Sequence, residues 1–168
     1  SMGGVDATNV TGDVLRVLDT IEAVFAHRVT VVLGAACPHI DEVIQKAESM
    51  RLDARVVVNA NNMAELMSQA DIAIGAAGGS AWERCCLGLP SLLVVMADNQ
   101  RPGAEALERA GASLSLGWPD AIEETLPRAM REVFAPGRLL EMSQNSAAIC
   151  DGLGVRRVAD ALQEVSDE

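Results

Sequence analysis

Glycine, serine and glutamate are spaced for anion and hydroxyl recognition between Asp71 and Arg84. The run reads Asp71-Ile72-Ala73-Ile74, then Gly75-Ala76-Ala77-Gly78-Gly79, then Ser80-Ala81-Trp82-Glu83-Arg84. Asp71–Ile74 is short and apolar without alternation, the pattern of a strand buried on both faces. Gly75–Gly79 carries nothing larger than a methyl group, so a ligand can approach the backbone closely. Ser80 and Glu83 stand three apart, which is the spacing of a capping box. A glycine turn entering a helix N-terminus aims free N–H groups and the positive end of the helix dipole at one spot. That spot suits a phosphate. No Gly-Lys-Ser/Thr follows the glycines, and no Gly-x-Gly-x-x-Gly opens a helix. Both absences argue against a P-loop NTPase and an NAD dehydrogenase.

Other polar residues fall beside strand ends. Asn99 and Gln100 offer both donors and acceptors for hydroxyl groups, and they equally suit a polar loop entering a helix. Asn61 and Asn62 read as turn and cap residues, with Glu65 completing an N-cap arrangement. Trp82 reads as core or crevice wall, and Met63 and Met67 as core. Cys85 and Cys86 read as small core residues. Cys37, Cys85, Cys86 and Cys150 form no C-x-x-C pair, and Cys37-Pro38-His39 lacks a second ligand pair, so no metal site is expected. His39 follows a strand on the ligand side, but nothing in the sequence orients it as a base.

Strands are expected at Arg28–Gly34, Ala54–Val58, Asp71–Ile74, Ser91–Met96 and Ala112–Leu116. Helices are expected at Val14–Phe25, Ile40–Arg51, Met63–Gln69, Ala81–Leu87, Gly103–Ala110, Ala121–Phe134, Gly137–Ala148 and Val155–Val165. Alternating strands and helices imply an α/β Rossmann-like three-layer sandwich with a mostly parallel sheet and right-handed crossovers. Ligands of such sheets bind beyond the C-terminal strand ends. Gly4, Ala60, Gly79, Glu83 and Gln100 are therefore expected to line one crevice.

The chain has 168 residues, of which 49% are hydrophobic and 2% aromatic. That suits one globular domain with an aliphatic core. Its net charge of -11 argues against nucleic-acid binding. No membrane span or signal peptide is visible, and the unpaired cysteines fit a reducing, cytoplasmic setting.

The stretch Gly75–Ser91, followed by Ala97-Asp98-Asn99-Gln100, resembles the C-terminal half of GT-B nucleotide-sugar enzymes. The Trp82-Glu83-Arg84-Cys85 and Gly88-Leu89-Pro90 motifs are most similar to the UDP-sugar hydrolases of pseudaminic acid biosynthesis. The spore-coat polysaccharide proteins are also similar, and the peptidoglycan N-acetylglucosaminyl transferases more distantly so. The resemblance covers about residues 2–117. It implies a UDP-sugar ligand with no further cofactor. Gly3, Gly4 and Asp6 would lie near the diphosphate, and the Ala60 backbone at the uracil edge. Gly78, Gly79 and Ser80 would lie near phosphate and ribose, Glu83 would accept from the ribose hydroxyls, and Asn99 and Gln100 would face the sugar or diphosphate. The main expectation is the UDP-binding half of a hydrolase releasing UDP from a diacetamido-trideoxy-altrose. A glycosyltransferase half and a non-catalytic Rossmann-like module are the alternatives. Residues 1–168 would form one domain, with the family's N-terminal domain and its catalytic His outside this sequence. The strand before Gly3-Gly4 would be central in the sheet, between Arg28–Gly34 and Asp71–Ile74. Its place would be satisfied by water, by gap closure, or by another chain's strand in a homo-oligomer.

Overall fold

The computed structural model describes residues 1–21 and 28–166. In chain order the helices are α1 (Val10–Leu18), α2 (Ile40–Ser49), α3 (Met63–Ser68), α4 (Ser80–Cys86), α5 (Arg101–Arg109), α6 (Ile122–Val133), α7 (Arg138–Ile149) and α8 (Gly154–Ser166). The strands are β1 (Arg28–Leu33), β2 (Asp53–Val58), β3 (Ala73–Ala76), β4 (Ser91–Val94) and β5 (Ser113–Gly117). Single 3₁₀ turns at Asp98–Gln100 and Pro119–Ala121 precede α5 and α6.

All strand pairs are parallel, as the alternating pattern requires. They form two groups, β1-β2 and β3-β4-β5. Between the groups lies a cavity of about 590 Å³, lined by Arg28–Val32 of β1, Ile72–Ile74 and apolar residues of α1 and α3. Ser1 starts to fill this slot. Its N donates to Ile74 O (2.9 Å) and its O accepts from Ala76 N (3.2 Å), which is parallel pairing opposite Gly75. The gap expected between β1 and β3 is therefore present and has not closed.

β4 divides the core into two layers, because successive side chains along a strand point to opposite faces. Leu92 and Val94 pack with α1, α6 and β1 residues such as Leu15, Leu126 and Val31. Leu93 and Val95 pack with Ala81 and Cys85 of α4 and Ala104 and Leu107 of α5. The helices that carry Glu83 and follow Gln100 thus cover the same sheet face. α8 instead leaves Val155, Val158, Leu162 and Val165 exposed. Among the described residues, no helix is long and apolar enough to cross a membrane.

Element ends depart from the sequence expectation where tertiary partners intervene. α1 begins at Val10 rather than Val14, because Asp6 and Asn9 cap it: Val10 N and Thr11 N donate to the Asp6 carboxylate (2.9 Å each) and Gly12 N to Asn9 Oδ1 (3.1 Å). It ends at Leu18, and the remainder expected to Phe25 lies partly at residues 22–27, outside the described residues. β3 begins at Ala73 rather than Asp71, because its pairing with β4 starts at Ala73 opposite Ser91. The Ser80–Glu83 capping box does not form. Gly79 is the N-cap, without a side-chain bond, and Ser80 already lies in the helix. Asn62 likewise caps no backbone group, and its Nδ2 donates to Glu65 Oε2 instead (2.9 Å).

Candidate functional site

The ligand-side edge is assembled by backbone bonds between neighbouring strand ends. Asn59 N donates to Leu33 O (2.8 Å), which joins the loops after β2 and β1. Ala77 N donates to Val94 O (2.9 Å) and Val95 N to Gly117 O (2.8 Å), which joins the loops after β3, β4 and β5. The N-terminal segment links the two groups, since Ser1 pairs beside Gly75 and Gly4 sits against Gly34. A Cβ added to Gly34 would lie 2.0 Å from Gly4 O, so only glycine permits that approach.

The small-residue turn narrows to Ala77–Gly79, because Gly75 and Ala76 belong to β3. Among the described residues, no protein acceptor takes the N–H of Gly78, Gly79 or Ser80. Those three successive donors are what an anion would meet. Gln100 stands over them. Its Oε1 accepts from Met96 N (3.0 Å), and its Nε2 lies 3.5 Å from where a Gly78 Cβ would be. The Gln100 amide is thus fixed at one end and directed at the turn with the other.

Arg84 holds the turn from beneath. It is only 3% exposed. Nη2 donates to Ala76 O (2.9 Å), Nε to Ser91 Oγ (3.1 Å) and Nη1 to Ser80 Oγ (3.2 Å). One planar guanidinium therefore ties the end of β3, the start of β4 and the first residue of α4 together. Burial lowers its pKa from the ordinary arginine value. The available signal was an arginine four residues after Ser80 on a helix packed against the sheet.

The other expected residues divide into two groups. Gly3, Gly4, Gly79, Glu83 and Asn99 are exposed, while Ala60, Gly78, Ser80 and Gln100 are partly so. Asp6 is corrected. It is 5% exposed, and both its oxygens are occupied by the start of α1, so it fixes the loop after Gly3-Gly4 rather than facing a diphosphate. Neither the 590 Å³ cavity nor a second one of about 360 Å³ is lined by any of the ten residues expected at the site. The candidate site is an open surface at the strand ends. Trp82, read as core or wall, is 45% exposed. Trp118 lies just beyond β5 with the Arg101 guanidinium 5.7 Å from its ring centroid. Cys86, read as core, is exposed.

His39 is held as a structural group. Its Nε2 lies 3.1 Å from Ala7 O and its Nδ1 3.2 Å from Glu42 Oε2. The Ala7 carbonyl, then Glu42, raise its pKa above the ordinary value, against a smaller opposing effect of desolvation. Both ring nitrogens face protein acceptors, which fixes the ring in place. His27 lies outside the described residues. Among those described, no group of His, Cys, Asp and Glu could hold a metal ion.

The profile of the glycosyltransferase family 28 C-terminal domain matches residues 15–164. The chain belongs to that family. It is 30% identical over its whole length to the spore coat polysaccharide biosynthesis protein SpsG of Bacillus subtilis, covering 50% of that protein. It is also 36% identical, over 67% of its length, to the UDP-N-acetylglucosamine–N-acetylmuramyl-(pentapeptide) pyrophosphoryl-undecaprenol N-acetylglucosamine transferase of Sorangium cellulosum, covering 29% of that enzyme. The chain therefore spans half or less of the length of these relatives. In fold it is similar to Acinetobacter baumannii MurG, with a TM-score of 0.80 at 18% identity, covering 98% of this chain and 48% of that one. This bears out the expected α/β GT-B C-terminal architecture. The expected likeness to spore-coat polysaccharide proteins and to peptidoglycan N-acetylglucosaminyl transferases is borne out, and the family model is that of a glycosyltransferase domain.

Proposed function

We propose that this chain is the UDP-binding half of a glycosyltransferase that uses a UDP-sugar donor. The observation that carries the reading is the run of unpaired N–H groups at Gly78, Gly79 and Ser80, facing the fixed Gln100 amide at the C-terminal edge of parallel strands. Membership of family 28 and the UDP-sugar in the name of one relative supply the ligand class.

In transfer, an acceptor hydroxyl attacks the anomeric carbon, the bond from that carbon to the β-phosphate oxygen breaks, and UDP leaves. The turn's N–H groups would stabilise the charge that develops on the departing diphosphate. Glu83, exposed on the first turn of α4, would accept from the two ribose hydroxyls, and a carboxylate can take both. Gly3 and Gly4 would approach the diphosphate from the segment beside Gly34, with Asn99 toward the sugar and the Ala60 backbone toward the uracil. The base that deprotonates the acceptor would come from outside this chain, since His39 is already bonded at both nitrogens.

The hydrolase reading rests on the Trp82-Glu83-Arg84-Cys85 and Gly88-Leu89-Pro90 motifs alone. In it, water replaces the acceptor hydroxyl at the same UDP site. Release of UDP by the complete parent protein without any acceptor would favour hydrolysis, whereas acceptor-dependent release would favour transfer.

Calorimetry on this chain tests the site itself. Weak UDP binding is expected, with UMP retaining part of it and no turnover of UDP-sugars, because closure against a second domain contributes much of the ordering and exclusion of water. Glu83→Ala should lower UDP affinity by about tenfold or more. Unchanged affinity in that variant removes Glu83 from the site, and no binding of any uridine nucleotide overturns the reading.

A further inference from the structure

We propose that Cys86 and Cys150 are a reversible oxidation site that closes to an intramolecular disulfide in the presence of a hydroperoxide. The two Sγ atoms lie 2.8 Å apart across 64 residues of sequence. A disulfide bond is about 2.05 Å long, so closing this one requires little movement. This inference is independent of the UDP reading.

Backbone packing fixes the distance. Cys86 is the last residue of α4, and Cys150 directly follows α7. Gly88, just past α4, abuts α7 so closely that a Cβ there would lie 3.3 Å from Ser143 O and 3.5 Å from Ala147 Cβ. α7 is in turn tied to the β5 side, where Ser146 Oγ donates to Ala112 O (3.1 Å) and Asn145 Nδ2 to Gly111 O (3.3 Å). Neither helix can slide without breaking these contacts, so the thiols stay opposed.

The surroundings divide the two roles. The Cys86 thiol, then the Gly152 N–H, favour the thiolate of Cys150 and lower its pKa, with Arg157 assisting and Asp151 opposing. The same pairing raises the pKa of Cys86, although the Gly152 N–H favours the thiolate there too. Cys150 also adjoins Asp151, whose Oδ1 accepts from Arg157 Nη1 (3.0 Å) and so holds a cation on that side, and Cys150 is taken as the attacking thiolate. Its thiolate attacks one peroxide oxygen, the O–O bond breaks, and an alcohol or water leaves after protonation. The resulting Cys150 sulfenic acid meets the Cys86 sulfur, the S–O bond breaks as the S–S bond forms, and water leaves with the Cys86 proton. The sum is two thiols and one hydroperoxide giving one disulfide, one alcohol or water, and one water. Cys86 is exposed and Cys150 partly so, which admits a small peroxide. Cys37 and Cys85 are buried, and burial raises the Cys85 thiol further, so neither competes.

The test treats the full chain with hydrogen peroxide, counts thiols after denaturation, and maps peptides. Two of the four thiols should disappear, a Cys86–Cys150 linked peptide should appear, and dithiothreitol should reverse both. Closing so long a loop should raise Tm by roughly 5–10 °C in the oxidised form. Cys86→Ser and Cys150→Ser should each lose that shift, while Cys37→Ser should keep it. A Cys85–Cys86 link, a link between two chains, or a sulfenic acid at Cys150 that dimedone traps while Cys86 remains reduced overturns the proposal.

Discussion

The Gln100 side-chain amide closes over Gly78, with its Nε2 3.5 Å from the position a Gly78 Cβ would take, and is anchored at its other end by Met96 N (3.0 Å). A methyl group at Gly78 meets ordinary van der Waals contact there and no backbone strain. Gly78→Ala should therefore fold with Tm within about 3 °C of the parent. It should nonetheless weaken UDP binding by about tenfold or more, because the methyl occupies the space between the turn and the amide. Gln100→Ala should cost about 1 kcal/mol in stability as well, since Met96 N loses its acceptor. Thermal shift and calorimetry on both variants separate the two effects, and UDP affinity equal to the parent's in both would remove this contact from the ligand site.

Arg84 should prove essential to the local structure of the turn. Arg84→Met retains an apolar stem but leaves Ala76 O without its guanidinium donor and breaks the link between Ser80 and Ser91. A loss of about 2–4 kcal/mol is expected by urea denaturation. Arg84→Lys should recover little of it, because a point charge cannot span three acceptors as a planar fork does. Full recovery by lysine would mean that charge rather than geometry is what matters at this position.

His39 supplies a pH-dependent contribution of definite sign. Its pKa in the folded chain is raised by the Ala7 carbonyl and by Glu42. The protonated ring is therefore stabilised on folding, fully so below the unfolded-state value of about 6.5. This contribution disappears as pH rises through the folded-state pKa. The stability difference between the parent chain and His39→Gln should be largest near pH 5 and should shrink above neutrality. Denaturation at several pH values checks it, and NMR titration should place His39 above the free value. A His39 pKa below about 6.5 would contradict both hydrogen bonds.

The slot between β1 and β3 should be visible in hydrogen exchange. β4 is paired on both sides and is fully buried, so its amides should exchange among the slowest in the chain. Among the described residues β1 is paired only with β2, and it lines the 590 Å³ cavity on its other side. Its cavity-facing amides should exchange markedly faster than the β1 amides bonded to β2. Uniform strong protection across β1 would indicate that another strand occupies the slot, as in association of two chains, and sedimentation would then reveal the dimer.

Local pattern was enough for the alternation of strands and helices, the parallel sheets and the small-residue turn at a strand end. Each of these follows from short-range spacing: aliphatic runs for β1 and β4, apolar periodicity for α2 and α6, and glycine where backbone must lie open. The motif around Trp82-Glu83-Arg84 also carried the family resemblance, although it favoured hydrolysis where the matched family model is that of glycosyltransferase family 28. Tertiary structure alone decided which polar groups remained for a ligand. Asp6 looked available in sequence, yet two N–H groups of α1 take its carboxylate. Ser80 and Glu83 had capping-box spacing, yet the buried Arg84 claims the Ser80 hydroxyl and leaves Glu83 exposed. Cys86 and Cys150 meet only because Gly88 lets α4 pack tightly on α7. A side chain's own preference is local, but its partner is fixed by segments distant in the chain, and the free energy of a buried hydrogen bond or a close contact depends on both.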